Sequence, residues 1–277
     1  TLFDTANSYA GGANEELVGS FVRNHRDHVI LATKAGLWSP DEDRRIDGRP
    51  EYVATACDAS LVRLGVDQID LYYLHRVDPE VPIEETIGAM ADLVTTGKVA
   101  GLGVSEPTPG ELRRAHRIHP IDVVQLEWSL FGRGAELELI PTARELGVGI
   151  VPYGPLGRGF LTGALDMGVG LMADGDLRRT DPRLQGEALA TNRELVAGLK
   201  QVASELGCTP AQLALAWVMG RGEDVVPIPS MEQRTFLDEN LQAASVDLED
   251  HEEHLAELFA IGAVSGDPDA VLLRRKS

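Results

Sequence analysis

Cysteine is almost missing from this chain: its 277 residues hold two, Cys57 and Cys208, far apart and without CxxC or metal-ligand spacing. That excludes a disulfide framework and points to a reducing compartment, so the protein reads as cytoplasmic. Basic residues are also scarce, 25 Lys and Arg against 44 Asp and Glu, and the formal net charge of −19 disfavours attraction to nucleic acid or to an anionic membrane surface. No apolar run approaches the roughly 18 residues that a membrane-spanning helix needs. A GxGxxG turn after the first strand-like run is missing too. Two histidine pairs, His116 with His119 and His251 with His254, have ligand-like spacing but no third ligand in a known metal arrangement, so no metal site is read.

What is present is an ordinary globular composition, 43% hydrophobic and 25% charged, at a length that suits one domain over residues 1–277. Short β-rich runs alternate with helical periodicity. The runs are TLFD (1–4), HVILATK (28–34), IDLYYLH (69–75), VAGLGV (99–104), IDVVQLE (121–127), VGIVPY (148–153) and VVPIP (225–229). Helices are expected over 13–24, 51–64, 83–96, 109–117, 136–146 and 190–206, and TPAQLALAWVMGR (209–221) adds an apolar one. DLEDHEEHLAEL (247–258) reads as a solvated terminal helix.

This βα rhythm makes a parallel sheet. Polar residues end at least five of the runs, which favours an α/β barrel of the TIM type, (β/α)8, over an open doubly wound sheet. Seven barrel strands are counted. TLFD leads straight into a loop and a helix as a second unit would, so the first βα unit is expected to precede Thr1 and the domain to be N-terminally incomplete. Residues 154–189, rich in Gly, Asp and Arg, are read as a functional loop over the rim.

Four polar side chains fall at successive strand ends of such a barrel. Asp4 closes the first run, Tyr9 follows it in the loop, Lys34 closes the second and His75 the third. An ammonium beside a phenol stabilises the phenolate and so makes the phenol a better proton donor, while a carboxylate keeps the ammonium charged and oriented. Histidine at the same mouth can orient a carbonyl. Trp38, Arg76, Trp128 and Phe131 also follow strand ends and are candidate lining residues of a substrate pocket.

FDTANSY (3–9), LATK (31–34), LYYLHRVDP (71–79), GLGVSE (101–106), VVQLEWSL (123–130), VPYGPLGRGFLTG (151–163), VPIPS (226–230) and RTFLDEN (234–240) together resemble the aldo-keto reductase family. HRVDP and PLGRGFLTG are similar to a bacterial and fungal branch that reduces small aldehydes, pyridoxal among them. The resemblance implies an enzyme that passes hydride from NADPH to the carbonyl of a small aldehyde or ketone. Tyr9 would protonate the carbonyl oxygen, Lys34 and Asp4 would tune Tyr9, and His75 would position the carbonyl. Ser105 and Gln125 match the residues that hold the cofactor's carboxamide, Glu106 is counted with the cofactor-binding residues, and Tyr153 matches the aromatic that stacks on the nicotinamide. Gly154, Leu156, Gly157 and Arg158 match the pyrophosphate loop, and Ser230, Arg234, Glu239 and Asn240 the adenosine end. Arg234 would meet the 2′-phosphate.

Two departures stand out. Glu106 replaces the family's frequent Asn, a difference the similar branch shares. Met231, Glu232 and Gln233 stand where relatives often carry a base, so NADH stays open beside NADPH. Two other functions also stay open: a non-catalytic NADP(H)-sensing subunit resembling channel β-subunits, and a Schiff-base aldolase using Lys34.

Overall fold

Helix boundaries follow local chemistry. The computed structural model describes residues 1–38, 45–165, 176–248, 250–260 and 262–266. They form two units, Thr1–Leu126 with Glu138–Ile150, and Glu127–Leu137 with Val151–Ser277.

In the first unit, strands β1 (Leu2–Asp4) and β2 (Ile30–Ala35) pair in parallel, and β3 (Leu37–Trp38) with β4 (Arg45–Ile46) makes a short antiparallel pair. β5 (Ile69–Leu74) pairs with β2, β6 (Val99–Ser105) with β5, and β7 (Val123–Glu127) with β6, all in parallel. With β8 (Gly149–Tyr153) the sheet order is β1-β2-β5-β6-β7-β8. Helices α1 (Ala13–Val22), α2 (Pro50–Leu64), α3 (Ile83–Thr95), α4 (Pro109–Ile118) and α5 (Leu139–Glu145) alternate with these strands. Pro50 opens α2, where its missing N–H costs nothing, and Gly65 closes it at φ 68°. Thr108 and Glu111 form a capping box at α4. α5 starts later than its periodicity suggests because residues 134–136 take a 3-10 turn.

The second unit holds α6 (Gly186–Glu205), α7 (Pro210–Met219), α8 (Arg234–Gln242) and α9 (Glu252–Leu258). α7 is apolar all round because it is buried along nearly its whole length. Its Trp217 lies edge-on to Trp128, and the guanidinium groups of Arg133 and Arg221 stand over it, 5.1 and 4.8 Å from the ring centre. Within 154–189, short 3-10 turns run over Gly157–Thr162, Leu177–Thr180 and Pro182–Leu184, while 166–175 lie outside the described residues. Among the described residues no helix is long and apolar enough to cross a membrane.

The expected seventh strand is corrected. Among the described residues VVPIP makes one parallel bridge, Tyr153 to Ile228, with Ile228 N–H donating to the Pro152 carbonyl at 3.0 Å. Pro227 and Pro229 have no N–H to offer, and two such residues in five disfavour a strand, so VVPIP makes this bridge and no ladder among the described residues. Six parallel strands therefore form in the described residues, not seven.

Two buried features of the first unit brace β2 and β6. Glu15 of α1, fully buried, accepts from Thr33 Oγ1 and from Arg63 Nε, each at 2.6 Å, and so ties α1 and α2 to β2. Gly103 of β6 lies opposite Tyr73 in the ladder, and a Cβ there would clash with the Tyr73 ring. Gly103→Ala is expected to cost about 1–3 kcal/mol of overpacking and to lower the thermal midpoint by several degrees. An unchanged melting curve would mean that the Tyr73 ring moves aside freely.

Both cysteines are free. Burial pushes the Cys57 thiol up to about 12, and also raises the half-buried Cys208. At pH 8 a disulfide reagent is therefore expected to titrate Cys208 in the native protein and Cys57 only after unfolding. Rapid native reaction of two thiols would contradict this.

Candidate active site

The polar ends of β1, β2 and β5 meet in the first unit. Lys34, fully buried on β2, forms an ion pair with Asp4 at the end of β1 and donates to the Thr5 carbonyl at 2.8 Å. The second Asp4 oxygen accepts from Gln125 Nε2 at 2.9 Å, so lysine and amide hold the carboxylate from two sides. A buried ammonium is stable only when paired and hydrogen-bonded, and Lys34 has both.

Tyr9 sits in the 3-10 turn that follows β1. The backbone carries it there through Thr5 N–H to Ala32 O (2.9 Å), Asn7 N–H to Lys34 O (3.1 Å) and Tyr9 N–H to Ala6 O (3.1 Å). Its ring centre lies 5.2 Å from Lys34 Nζ and 5.9 Å from the His75 ring, which it meets edge to face at 82°. Ser8 Oγ stands 3.5 Å from His75 Nδ1. Lys34 and His75 are buried while Tyr9 is 41% exposed, so the phenol is the member of the group that solvent-borne molecules reach.

Around this group, Ser105 and Gln125 are buried neighbours in the β6–β7 ladder. Glu106 N–H donates to the Gln125 carbonyl at 2.9 Å, and Glu106 takes a positive φ of 53°. Arg76 Nη1 donates to the His75 carbonyl at 2.8 Å and to Ser105 Oγ at 3.0 Å. Trp38 pairs through its backbone with Arg45, and its side chain lies outside the described residues.

The second unit carries the remaining candidates. The Tyr153 carbonyl accepts from Trp128 N–H at 3.4 Å. Gly154 and Gly157 adopt φ of 60° and 55°, and Arg158 a strained 56°, which together coil residues 154–163 into a tight turn. Leu156 caps that turn, and Arg158 pairs with Glu127 and Asp181 at 3.3 and 3.5 Å. Trp128 is buried and donates Nε1 to Glu136 at 2.8 Å, and Phe131 is buried against Phe160 with ring centres 5.0 Å apart. Ser230 and Arg234 are exposed, Arg234 in the first turn of α8. Glu239 accepts from Thr209 Oγ1 at 2.6 Å, and the Asn240 amide nitrogen is buried without a hydrogen-bond partner among the described residues.

The model of the Aldo/keto reductase family matches residues 1–257. The chain belongs to the aldo/keto reductase family. A probable aldo-keto reductase 1 of Glycine max is 48% identical over 271 residues, covering 96% of this chain and 77% of that protein. Among solved structures, a glycerol dehydrogenase of Gluconobacter oxydans superimposes with a TM-score of 0.86 at 27% identity, covering 96% of this chain and 82% of that one. An aldo/keto reductase of Klebsiella pneumoniae in complex with NADP and acetate gives 0.73 at 29% identity, covering 94% and 80%.

In this aldo/keto reductase, sequence reasoning missed two members of the Lys34 environment. One is the Thr5 carbonyl, which carries no side-chain signal. The other is Tyr73, fully buried with its ring centre 5.8 Å from Lys34 Nζ. Burial, and then the nearby Asp4 carboxylate, hold its phenol protonated, well above the usual range. Its signal was available: Tyr73 stands on β5 two residues before His75, the spacing that puts side chains of an extended chain on one side.

Proposed function

We propose that this aldo/keto reductase transfers hydride from NADPH to the carbonyl of a small aldehyde or ketone, with Tyr9 protonating the carbonyl oxygen. The observation that carries this reading is the buried Lys34–Asp4 pair beneath the reachable Tyr9 ring. NADP(H) is supported by the Klebsiella pneumoniae relatives, solved with NADP and with NADPH.

The residues present fit that cofactor. Asn240 holds a buried donor with no acceptor among the described residues, as a side chain awaiting a ligand does. Gly154 and Gly157 present backbone without side-chain bulk in the 154–158 turn, where an anion can approach the amides. Ser105 and Gln125 would hold the carboxamide, with Glu106 beside them, and Tyr153 would present its ring to the nicotinamide. Gly154, Leu156, Gly157 and Arg158 would hold the pyrophosphate, and Ser230, Arg234, Glu239 and Asn240 the adenosine end. Thr209 fixes the Glu239 carboxylate for that task. The bound nucleotide supplies the hydride.

This chain's own groups do the rest. Tyr9 holds the proton at its phenol oxygen, Lys34 and Asp4 set the charge behind it, and His75 orients the carbonyl. Trp38, Arg76, Trp128 and Phe131 are the pocket candidates. The 1–277 stretch is read as one (β/α)8 domain, supported by a family match that runs through both units. HRVDP and PLGRGFLTG favour the branch that reduces small aldehydes such as pyridoxal, and the two free thiols suit a reducing cytoplasm.

A Schiff-base lysine must lose its proton, whereas Lys34 donates to a carboxylate and a carbonyl, which favours the reductase. Loss of nicotinamide absorbance on mixing the protein, NADPH and pyridoxal or 4-nitrobenzaldehyde tests the proposal. Tight NADPH binding without turnover of any aldehyde would make the protein a cofactor sensor instead.

A further inference from the structure

Arginines in this acidic chain are generally paired with carboxylates. Arg26 pairs with Asp70, Arg63 with Glu15, Arg113 with Glu145, Arg133 with Glu136 and Arg183 with Asp181. Arg76 differs. It is part-buried, and its two hydrogen bonds go to neutral acceptors, the His75 carbonyl and Ser105 Oγ, both from Nη1. Among the described residues no carboxylate pairs with it and Nε and Nη2 meet no acceptor, so half of a planar, permanently charged fork is uncommitted.

Its place is as informative as its chemistry. Arg76 follows His75 directly, and His75 meets the Tyr9 ring edge to face. The bond to Ser105 holds the guanidinium at the C-terminal ends of β5 and β6, the strand ends that frame the reacting group. A net charge of −19 repels anions over the surface as a whole, so a bound anion needs a local cation. We propose that the free side of the Arg76 guanidinium recognises an oxyanion, carboxylate or phosphate, carried by the carbonyl substrate. This rests on the reductase reading above and narrows its substrates to anionic aldehydes or ketones.

The test compares 4-carboxybenzaldehyde with its neutral methyl ester, methyl 4-formylbenzoate, in the native protein and in Arg76→Met and Arg76→Lys. The readout is the acid-to-ester ratio of kcat/KM, in which any general loss of activity cancels. The native protein should favour the acid about tenfold or more, chiefly through KM, as charge-assisted hydrogen bonds allow. Arg76→Met should bring the ratio close to one, and Arg76→Lys should keep part of it, since a point charge replaces a fork. A native ratio near one, or a ratio that survives Arg76→Met, overturns the proposal. So does weakened NADPH binding in Arg76→Met with an unchanged ratio, which would assign Arg76 to the nucleotide. If the native protein reduced neither aldehyde, the reductase reading would fall separately. Calorimetry with benzoate would then decide the anion site, which requires binding to the native protein and its loss in Arg76→Met.

Discussion

Tyr9→Phe is expected to lower kcat for aldehyde reduction by about 10²–10⁴-fold, the worth of a positioned general acid. The substitution keeps the ring, and with it the face turned to Lys34 at 5.2 Å and the edge contact with His75. It removes the proton alone. The affinity for NADPH, followed by Trp fluorescence, should therefore stay within about twofold, because no part of the change touches a cofactor candidate. A variant that kept its kcat would transfer the role of acid to His75, which is buried beside the same ring.

The largest effect on stability is expected at Glu15. Glu15→Ala leaves the Thr33 hydroxyl without its acceptor and Arg63 with Ser60 Oγ but no carboxylate, and removing one member of a buried pair costs about 3–5 kcal/mol. The Arg63 side chain keeps 24% exposure, so water screens part of the loss and the lower end of that range applies. The thermal midpoint should fall by roughly 10 °C. Glu15→Gln retains an acceptor for Thr33 and should fall less. Adding Arg63→Met to Glu15→Ala should recover part of the loss, since the stranded cation goes with it. No recovery in the double variant would mean that Glu15 acts by filling space.

Much of the fold was legible because period and punctuation agreed. The 3.6-residue stripe between Pro50 and Gly65 gave α2 at both ends, and alternation toward His75 gave β5. VVPIP failed because β-branched content suggested a strand while two prolines in five residues disfavour one. The Asp4, Tyr9, Lys34 and His75 group was legible from residue type at strand ends, and the structure brings all four together. The brace from Gln125 to Asp4 was not, because it joins residues 121 positions apart in the chain. Trp128 and Phe131, read as pocket lining, are buried beside Trp217 and Phe160, neighbours far away in the chain that bulk and apolarity in a sequence do not reveal.

The facing pair on β5 and β6 has a consequence for descent. Because the Tyr73 ring occupies the space that any side chain at 103 would need, the two positions cannot drift independently. A lineage that keeps the aromatic must keep the glycine, and one that trades it for a slimmer residue releases position 103 to accept a methyl. The order of such changes is constrained as well: the ring must shrink before the glycine is lost, since the reverse path passes through an overpacked ancestor beside Lys34.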